Sequence, residues 1–152
     1  MCNFSKSNNI AIIEDNGNIY SYKDLNLECD NLKKNIYDRC LVFCLCKNCY
    51  ASLFGYVCFL NHKIVPVMLD SKLDKNLLKF LIETYKPDYL WLPTENQYEF
   101  NFKETYSSKG YSLLKTNYNK EYPLHSDLAL LLTTSGSTGS PKLVKQTYKN
   151  IL

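Results

Sequence analysis

The spacing of apolar and polar positions changes several times along this chain, and each change marks an element. "NIAIIEDNGNIYSY" holds two β-prone apolar runs on either side of Asn16-Gly17, a dipeptide that closes tight hairpins because both residues tolerate positive φ. Ser21 then stands where a hydroxyl can cap a helix, and Leu25, Cys29, Leu32 and Ile36 recur at helical spacing through Tyr22–Asp38. "CLVFCLC" is a continuous apolar run of strand length, as expected of a strand covered on both faces. Asn48 is placed to cap the apolar helix "CYASLFGYVCFLN", and "KIVPV" gives another buried strand. "SKLDKNLLKFLIETYK" carries Leu73, Leu77, Leu78, Leu81 and Ile82 on one face and is stopped by Pro87, after which "DYLWL" gives a further strand.

From Pro93 to Lys109 the periodicity fades into polar and aromatic residues, which predicts a loop or irregular surface segment. Tyr111–Lys115 predicts a short strand. "NYNKEYPLHSD" leads through Pro123 into "LALLLTT", Leu128–Thr134, a buried strand; after Pro141, "KLVKQT" has β character and "TYKNIL" begins a helix. Strands alternating with helices of about 10 to 15 residues predict βαβ units on a mainly parallel sheet, the α/β class. A chain of 152 residues is long enough for one domain, or most of one, with its own core.

Composition narrows the partners. The net charge is only +3, and seventeen of the eighteen basic residues are lysines, leaving Arg39 alone for bidentate base contacts; nucleic acid is a poor partner for such a chain. The N-terminus lacks an apolar stretch of signal-peptide length, and the longest apolar run, Tyr50–Leu60, is about half of the ~20 residues a membrane span needs. The chain therefore reads as soluble and cytoplasmic. Its seven cysteines are an odd number for a disulfide framework. Cys40, Cys44, Cys46 and Cys49 crowd one stretch, but only Cys46 and Cys49 have CxxC spacing and no second pair follows, so they read as reduced, small buried hydrophobes rather than metal ligands.

The segment from Thr134 to Lys142, "TSGSTGSPK", holds the candidate chemistry. Gly136 and Gly139 permit backbone angles closed to other residues, so successive N–H groups can line one concavity; Ser135, Ser137, Thr138 and Ser140 add hydroxyls and Lys142 a mobile positive charge. Many donors with one ammonium suit a polyphosphate. A Walker A loop is excluded by spacing: the two glycines are three apart, and Leu143 stands where a magnesium-binding hydroxyl belongs. An ordinary Gly/Ser linker remains open as a reading, although linkers do not normally spring from a buried strand and end in Pro-Lys before a second apolar run.

"TSGSTGSPK" resembles the phosphate-loop signature of the adenylate-forming superfamily, which includes acyl-CoA synthetases, nonribosomal-peptide adenylation domains and luciferases. The match runs in register across Thr134–Lys142. "SYKDLN", "VFCLCKNCYASLFGYVCFLNHKIVPVML", "LLKFLIETYKPDYL" and "SDLALLLTTSG" resemble, in order, segments of the family's N-terminal region, so the resemblance covers most of Ile10–Leu152 and is weakest between Thr94 and Tyr122. The sequence departs from the pattern at Leu143, where Gly is usual, at Tyr148, where many members have His, and at Thr133, which replaces an aromatic.

The resemblance implies the N-terminal portion of the large domain of a carboxylate-activating ligase. Such an enzyme joins a small-molecule carboxylate to ATP, with Mg2+, and passes the acyl group from the adenylate to a thiol, either coenzyme A or the phosphopantetheine of an acyl or peptidyl carrier protein. By the same resemblance Thr134, Ser135, Gly136, Ser137, Thr138 and Gly139 hold the nucleotide phosphates and Lys142 neutralises their charge, with no metal ligand among them. The family's later motifs and mobile C-terminal domain do not occur in these 152 residues, so a single partial domain, inactive alone and prone to self-associate through an uncovered edge, is the expectation. The alternative is a non-catalytic α/β module that binds a nucleotide or anion or serves as an assembly surface.

Overall fold

The computed structural model describes residues 7–134 and 141–151. β1 (Ile10–Ile13) and β2 (Ile19–Ser21) form the antiparallel hairpin that Asn16-Gly17 predicts, with Ile13 opposite Ile19 and Gly17 at φ +87°, where a side chain would be strained. α1 (Tyr22–Lys33) opens in a complete capping box: the Ser21 hydroxyl oxygen accepts from the Asp24 N–H at 3.1 Å, and the Asp24 carboxylate accepts from the Ser21 N–H at 2.8 Å. The helix ends at Lys33, not at Asp38 as the apolar spacing suggests. Lys33 Nζ donates to the carbonyls of Ile36 and Tyr37, so the chain turns there while Ile36 still reaches the core.

A second sheet has seven strands in the order β6-β7-β5-β3-β4-β8-β9. These are β3 (Leu41–Cys46), β4 (Val65–Asp70), β5 (Tyr89–Pro93), β6 (Lys103–Ser108), β7 (Tyr111–Lys115), β8 (Leu128–Thr134) and β9 (Lys142–Thr147). The four interior strands β5, β3, β4 and β8 are parallel; β7 and then β6 add antiparallel beyond β5, and β9 adds antiparallel beyond β8. The α/β class and its parallel sheet are as expected. α2 (Tyr50–Asn61) follows β3 and α3 (Lys75–Tyr85) follows β4, and a short helix α4 (Tyr148–Ile151) follows β9.

The alternation of β3 sorts the core into two layers. Val42 and Cys44 pack with α1 and α2, whereas Leu41, Phe43 and Leu45 pack with Leu78, Leu81 and Ile82 of α3. On the first face the Trp91 indole is fully buried and donates to the Ala51 carbonyl at 3.1 Å. It lies against Gly55, where a Cβ would come within 2.4 Å of its nitrogen. α3 is capped by Asp74, which accepts from the N–H groups of Asn76 and Leu77, and it ends in a left-handed Lys86 before Pro87.

Two expectations need correction. The segment from Pro93 to Lys109 is not wholly irregular: after a 3-10 turn at Thr94–Glu99, Lys103–Ser108 pairs with β7 as the outermost strand on that side. None of its residues is fully buried, although Tyr106 stacks on Trp91, so backbone pairing with β7 rather than an apolar run marks it as a strand. β8 is buried only through Ala129, Leu130 and Leu131; Leu132 is 40% exposed because only β9 lies beyond it among the described residues.

Candidate functional site

The interior strands β3, β4, β5 and β8 run the same way and end along one edge, at Cys46, Asp70, Pro93 and Thr134. α2 leaves β3 toward one face and α3 leaves β4 toward the other, so the connections diverge between these two strands. Open α/β sheets bind ligands at such a divergence, outside the carboxyl ends of the strands. A cavity of about 430 Å³ lies there, walled by Ile12–Asp15 of the hairpin, by Cys46–Tyr50 from the end of β3 to the start of α2, and by Met68 of β4.

Side chains far apart in sequence fix these walls. The cap of α2 is not Asn48: Cys49 occupies the cap position and makes no side-chain bond, and the carboxylate of Glu14 instead accepts the Tyr50 N–H at 2.7 Å. The other Glu14 oxygen accepts from the Tyr20 hydroxyl at 3.2 Å, and the Tyr20 ring stacks on Tyr50 with centroids 3.6 Å apart. The hairpin is thereby fastened to the helix. On the inner side the buried Tyr111 hydroxyl donates to the Leu45 carbonyl at 2.9 Å and accepts from the Lys47 N–H at 3.1 Å, which holds the end of β3 in place. Burial pushes the Tyr111 phenol well above its ordinary range and keeps it a donor.

The backbone hydrogen bond from Tyr50 is the main reason that Glu14 is held below the ordinary carboxyl value of 4.5. A carboxylate lowered by folding stabilises the fold above its unfolded-state pKa, and that contribution is lost as pH falls through the folded value. Glu14→Gln is therefore expected to lower stability by about 1 kcal/mol at neutral pH, with the deficit shrinking below pH 4.5 as the native carboxylate protonates. Urea unfolding of both proteins at pH 7 and pH 3 measures the gap; a deficit that is equal at both pH values contradicts the charged cap.

The segment with the phosphate-loop signature leaves the same edge. β8 pairs with β4 through Val67 with Leu131 and Met68 with Leu132, and the Thr133 hydroxyl donates to the Met68 carbonyl at 3.4 Å. Thr134 and Lys142 are cross-strand partners in β8 and β9, and the Thr134 hydroxyl donates to the Lys142 carbonyl at 3.3 Å. The two described ends of the signature are thus brought together beside Met68, a wall of the cavity. Lys142 is exposed and has no ion-pair partner among the described residues. Ser135, Gly136, Ser137, Thr138 and Gly139 lie outside the described residues.

No motif or local spacing marks Glu14, Tyr20 and Tyr111 as site-forming. Glu14 meets Tyr50 across 36 positions of chain, so neither local spacing nor a motif announces it. Lys47, next to the cavity, pairs with Glu95, an exposed contact worth little. Among the described cysteines, Cys29, Cys40, Cys44 and Cys58 are buried free thiols and Cys46 and Cys49 are partly buried. Burial pushes Cys40 up to about 12. His62 is exposed at the end of α2, and His125 Nδ1 accepts from the Asp127 N–H, so neither belongs to the site.

No helix among the described residues is long and apolar enough to cross a membrane. No protein-family model and no curated protein matches the sequence significantly. Solved structures do match the fold. One is O-succinylbenzoate coenzyme A synthetase (MenE) from Bacillus subtilis in complex with AMP, with a TM-score of 0.64 and 18% identity over 91% of this chain and 39% of that chain. The same enzyme in complex with ATP and magnesium ion gives a TM-score of 0.64 at 16% identity, over 93% of this chain and 40% of that chain. The N-terminal subdomain of Klebsiella oxytoca NpsA in complex with 3-hydroxyanthranilyl-AMSN gives 0.60 at 20% identity, over 92% and 36%. The chain spans well under half the length of these proteins, and over that span it has the fold of the N-terminal part of adenylate-forming enzymes.

Proposed function

We propose that this chain supplies the phosphate-binding N-terminal part of an ATP-dependent carboxylate-activating ligase, whose acyl-adenylate is then passed to a thiol of coenzyme A or of a carrier protein. The observation that carries the reading is the pairing of Thr134 with Lys142 at the carboxyl edge of the parallel strands, which draws together the two ends of "TSGSTGSPK". Structures with the same fold hold AMP or ATP with magnesium, which supports a nucleotide at this edge.

The donor set suits a triphosphate. In carboxylate activation the leaving pyrophosphate gathers charge, and donors placed beforehand around the β- and γ-phosphates stabilise that charge without reorganising. Thr134, Ser135, Ser137 and Thr138 would offer hydroxyls, Gly136 and Gly139 backbone N–H groups, and Lys142 an ammonium that no described carboxylate already neutralises. Magnesium would supply positive charge that offsets the charge of the phosphates. Thr133–Val144 contains no carboxylate, so the side chains of this segment would offer the ion hydroxyls only.

The test is carboxylate-dependent ATP–pyrophosphate exchange by the protein as its gene encodes it, over a panel of aryl, fatty and amino acids. Exchange with one class of acid is expected. Nucleotide or pyrophosphate binding with no exchange for any acid would instead favour a non-catalytic anion-binding module.

A further inference from the structure

β8 carries Thr134 to the candidate site, yet its hold on the parallel sheet is short. The ladder between β4 and β8 joins Val67 to Leu131 and Met68 to Leu132, and the pairing of β8 with β9 shifts register between Leu128 and Leu130. A strand held over so few residues can slip, and a slip by one residue turns every side chain to the opposite face. Here it would take Leu131 out of the layer it shares with α3 and draw the Thr133 hydroxyl away from the Met68 carbonyl. Thr134 and its cross-strand partner Lys142 would move along the carboxyl edge by about 3.3 Å, the rise of one strand residue.

At the other end of β8, where its ladder with β4 has not begun, the arginine of the chain supplies the missing hold. Arg39 lies two residues ahead of β3, and β8 is two places from β3 in the sheet order. Its Nη1 donates to the Lys63 carbonyl at 2.7 Å, just ahead of β4. Its Nη2 donates to the His125 carbonyl at 2.5 Å and to the Leu128 carbonyl at 2.7 Å, at the start of β8. One guanidinium thus joins the leading ends of three neighbouring strands, reaching across 89 positions of chain to Leu128. No carboxylate among the described residues forms an ion pair with it. The bonds to β4 and to β8 leave from different nitrogens of a planar fork, whereas the donors of a lysine all leave from one nitrogen.

On the reading of the carboxyl edge as a phosphate site, we propose that Arg39 is a positioning residue for that site: its guanidinium sets the register of β8 against β4 and so fixes where Thr134 and Lys142 stand. Arg39 sits at the amino edge of the sheet, and the six steps from Leu128 to Thr134 span roughly 20 Å. It therefore acts on the nucleotide edge through β8 and not by contact.

The test uses Arg39→Lys and Arg39→Ala in the protein as its gene encodes it. Amide hydrogen exchange, followed by mass spectrometry of peptic peptides, is expected to show protection lost at least about tenfold in β8 and β9 while β3 and β5 keep the wild-type pattern. Lysine retains the charge, so equal losses in the two variants identify the fork as the cause. In ATP–pyrophosphate exchange the KM for ATP is expected to rise at least about tenfold in both variants, with the KM for the carboxylate scarcely changed. If Arg39→Ala does not fold, Arg39→Lys carries the test. A wild-type protein with no exchange for any acid contradicts the ligase reading, and hydrogen exchange then still decides whether Arg39 sets the register. Protection lost evenly over all strands makes Arg39 a general stabiliser and overturns the proposal. Wild-type protection of β8 in Arg39→Lys overturns it too, as does a loosened β8 with an unchanged KM for ATP.

Discussion

Gly55→Ala is expected to destabilise the chain by about 2–4 kcal/mol even though alanine is the better helix former. The intrinsic gain in a helix interior is about 1 kcal/mol. Against it stands the new methyl group, 2.4 Å from Trp91 Nε1 and 2.7 Å from its Cδ1. The indole has nowhere to retreat, being fully buried between Phe54, Tyr106 and Tyr111. Overpacking of this kind costs about 1–3 kcal/mol, and a displaced indole also gives up its hydrogen bond to the Ala51 carbonyl in a dry interior, about another 1–3 kcal/mol. Urea unfolding followed by Trp91 fluorescence and circular dichroism measures the loss. Combining Gly55→Ala with Trp91→Leu separates the causes: the double variant should fall short of the summed single effects by at least about 1 kcal/mol, because the clash exists only when both large groups are present. Strict additivity would mean that the indole does not rest on Gly55.

Lys142→Ala, and separately Gly139→Val, are expected to slow ATP–pyrophosphate exchange by about 10²–10³-fold, the effect of losing one preorganised donor or about 2.7–4 kcal/mol in the transition state. Melting temperatures should scarcely move for Lys142→Ala, since its side chain is exposed and β9 is held by backbone pairing. Exchange and melting should be measured on the same preparations. A variant that melts early yet exchanges normally would remove Lys142 from the proposed phosphate site and reduce it to a strand residue.

The parts of this structure that were legible in the sequence are those whose physics is local. Asn16-Gly17 announced the hairpin because the turn needs positive φ, and Ser21 announced α1 because its oxygen reaches the Asp24 N–H three residues on. The apolar runs of β3, β4, β5 and β8 announced strands covered on two faces. Where partners are distant, the reading failed. Ile36 continued the helical spacing although the chain had already turned, because burial and not helix was what the spacing recorded. Asn48 looked like a cap, but the cap arrives from the hairpin as Glu14. β6 was missed because a strand at the rim, paired on one side, needs no apolar pattern. In the candidate site the order of Thr134 and Lys142 was plain in the motif, whereas their position beside a cavity built from β1, β3 and β4 depends on sheet order, which no motif encodes.

The pairing of β4 with β8 also bears on how the chain reaches this state. β3 and β4 are joined by one helix, and so are β4 and β5; these crossovers bring strands together over short stretches of chain. β8 instead meets β4 by joining Val67 to Leu131, after α3, β5, β6 and β7 have been threaded between them. Closing a longer loop costs more entropy, and contacts between distant residues are repaid late. During synthesis or refolding the crossovers around β3 can assemble first, and the strand that delivers Thr134 joins a sheet already in place. The candidate nucleotide edge is then the last part of the parallel core to exist, so a chain stalled earlier in folding would have a core but nothing with which to grip a phosphate.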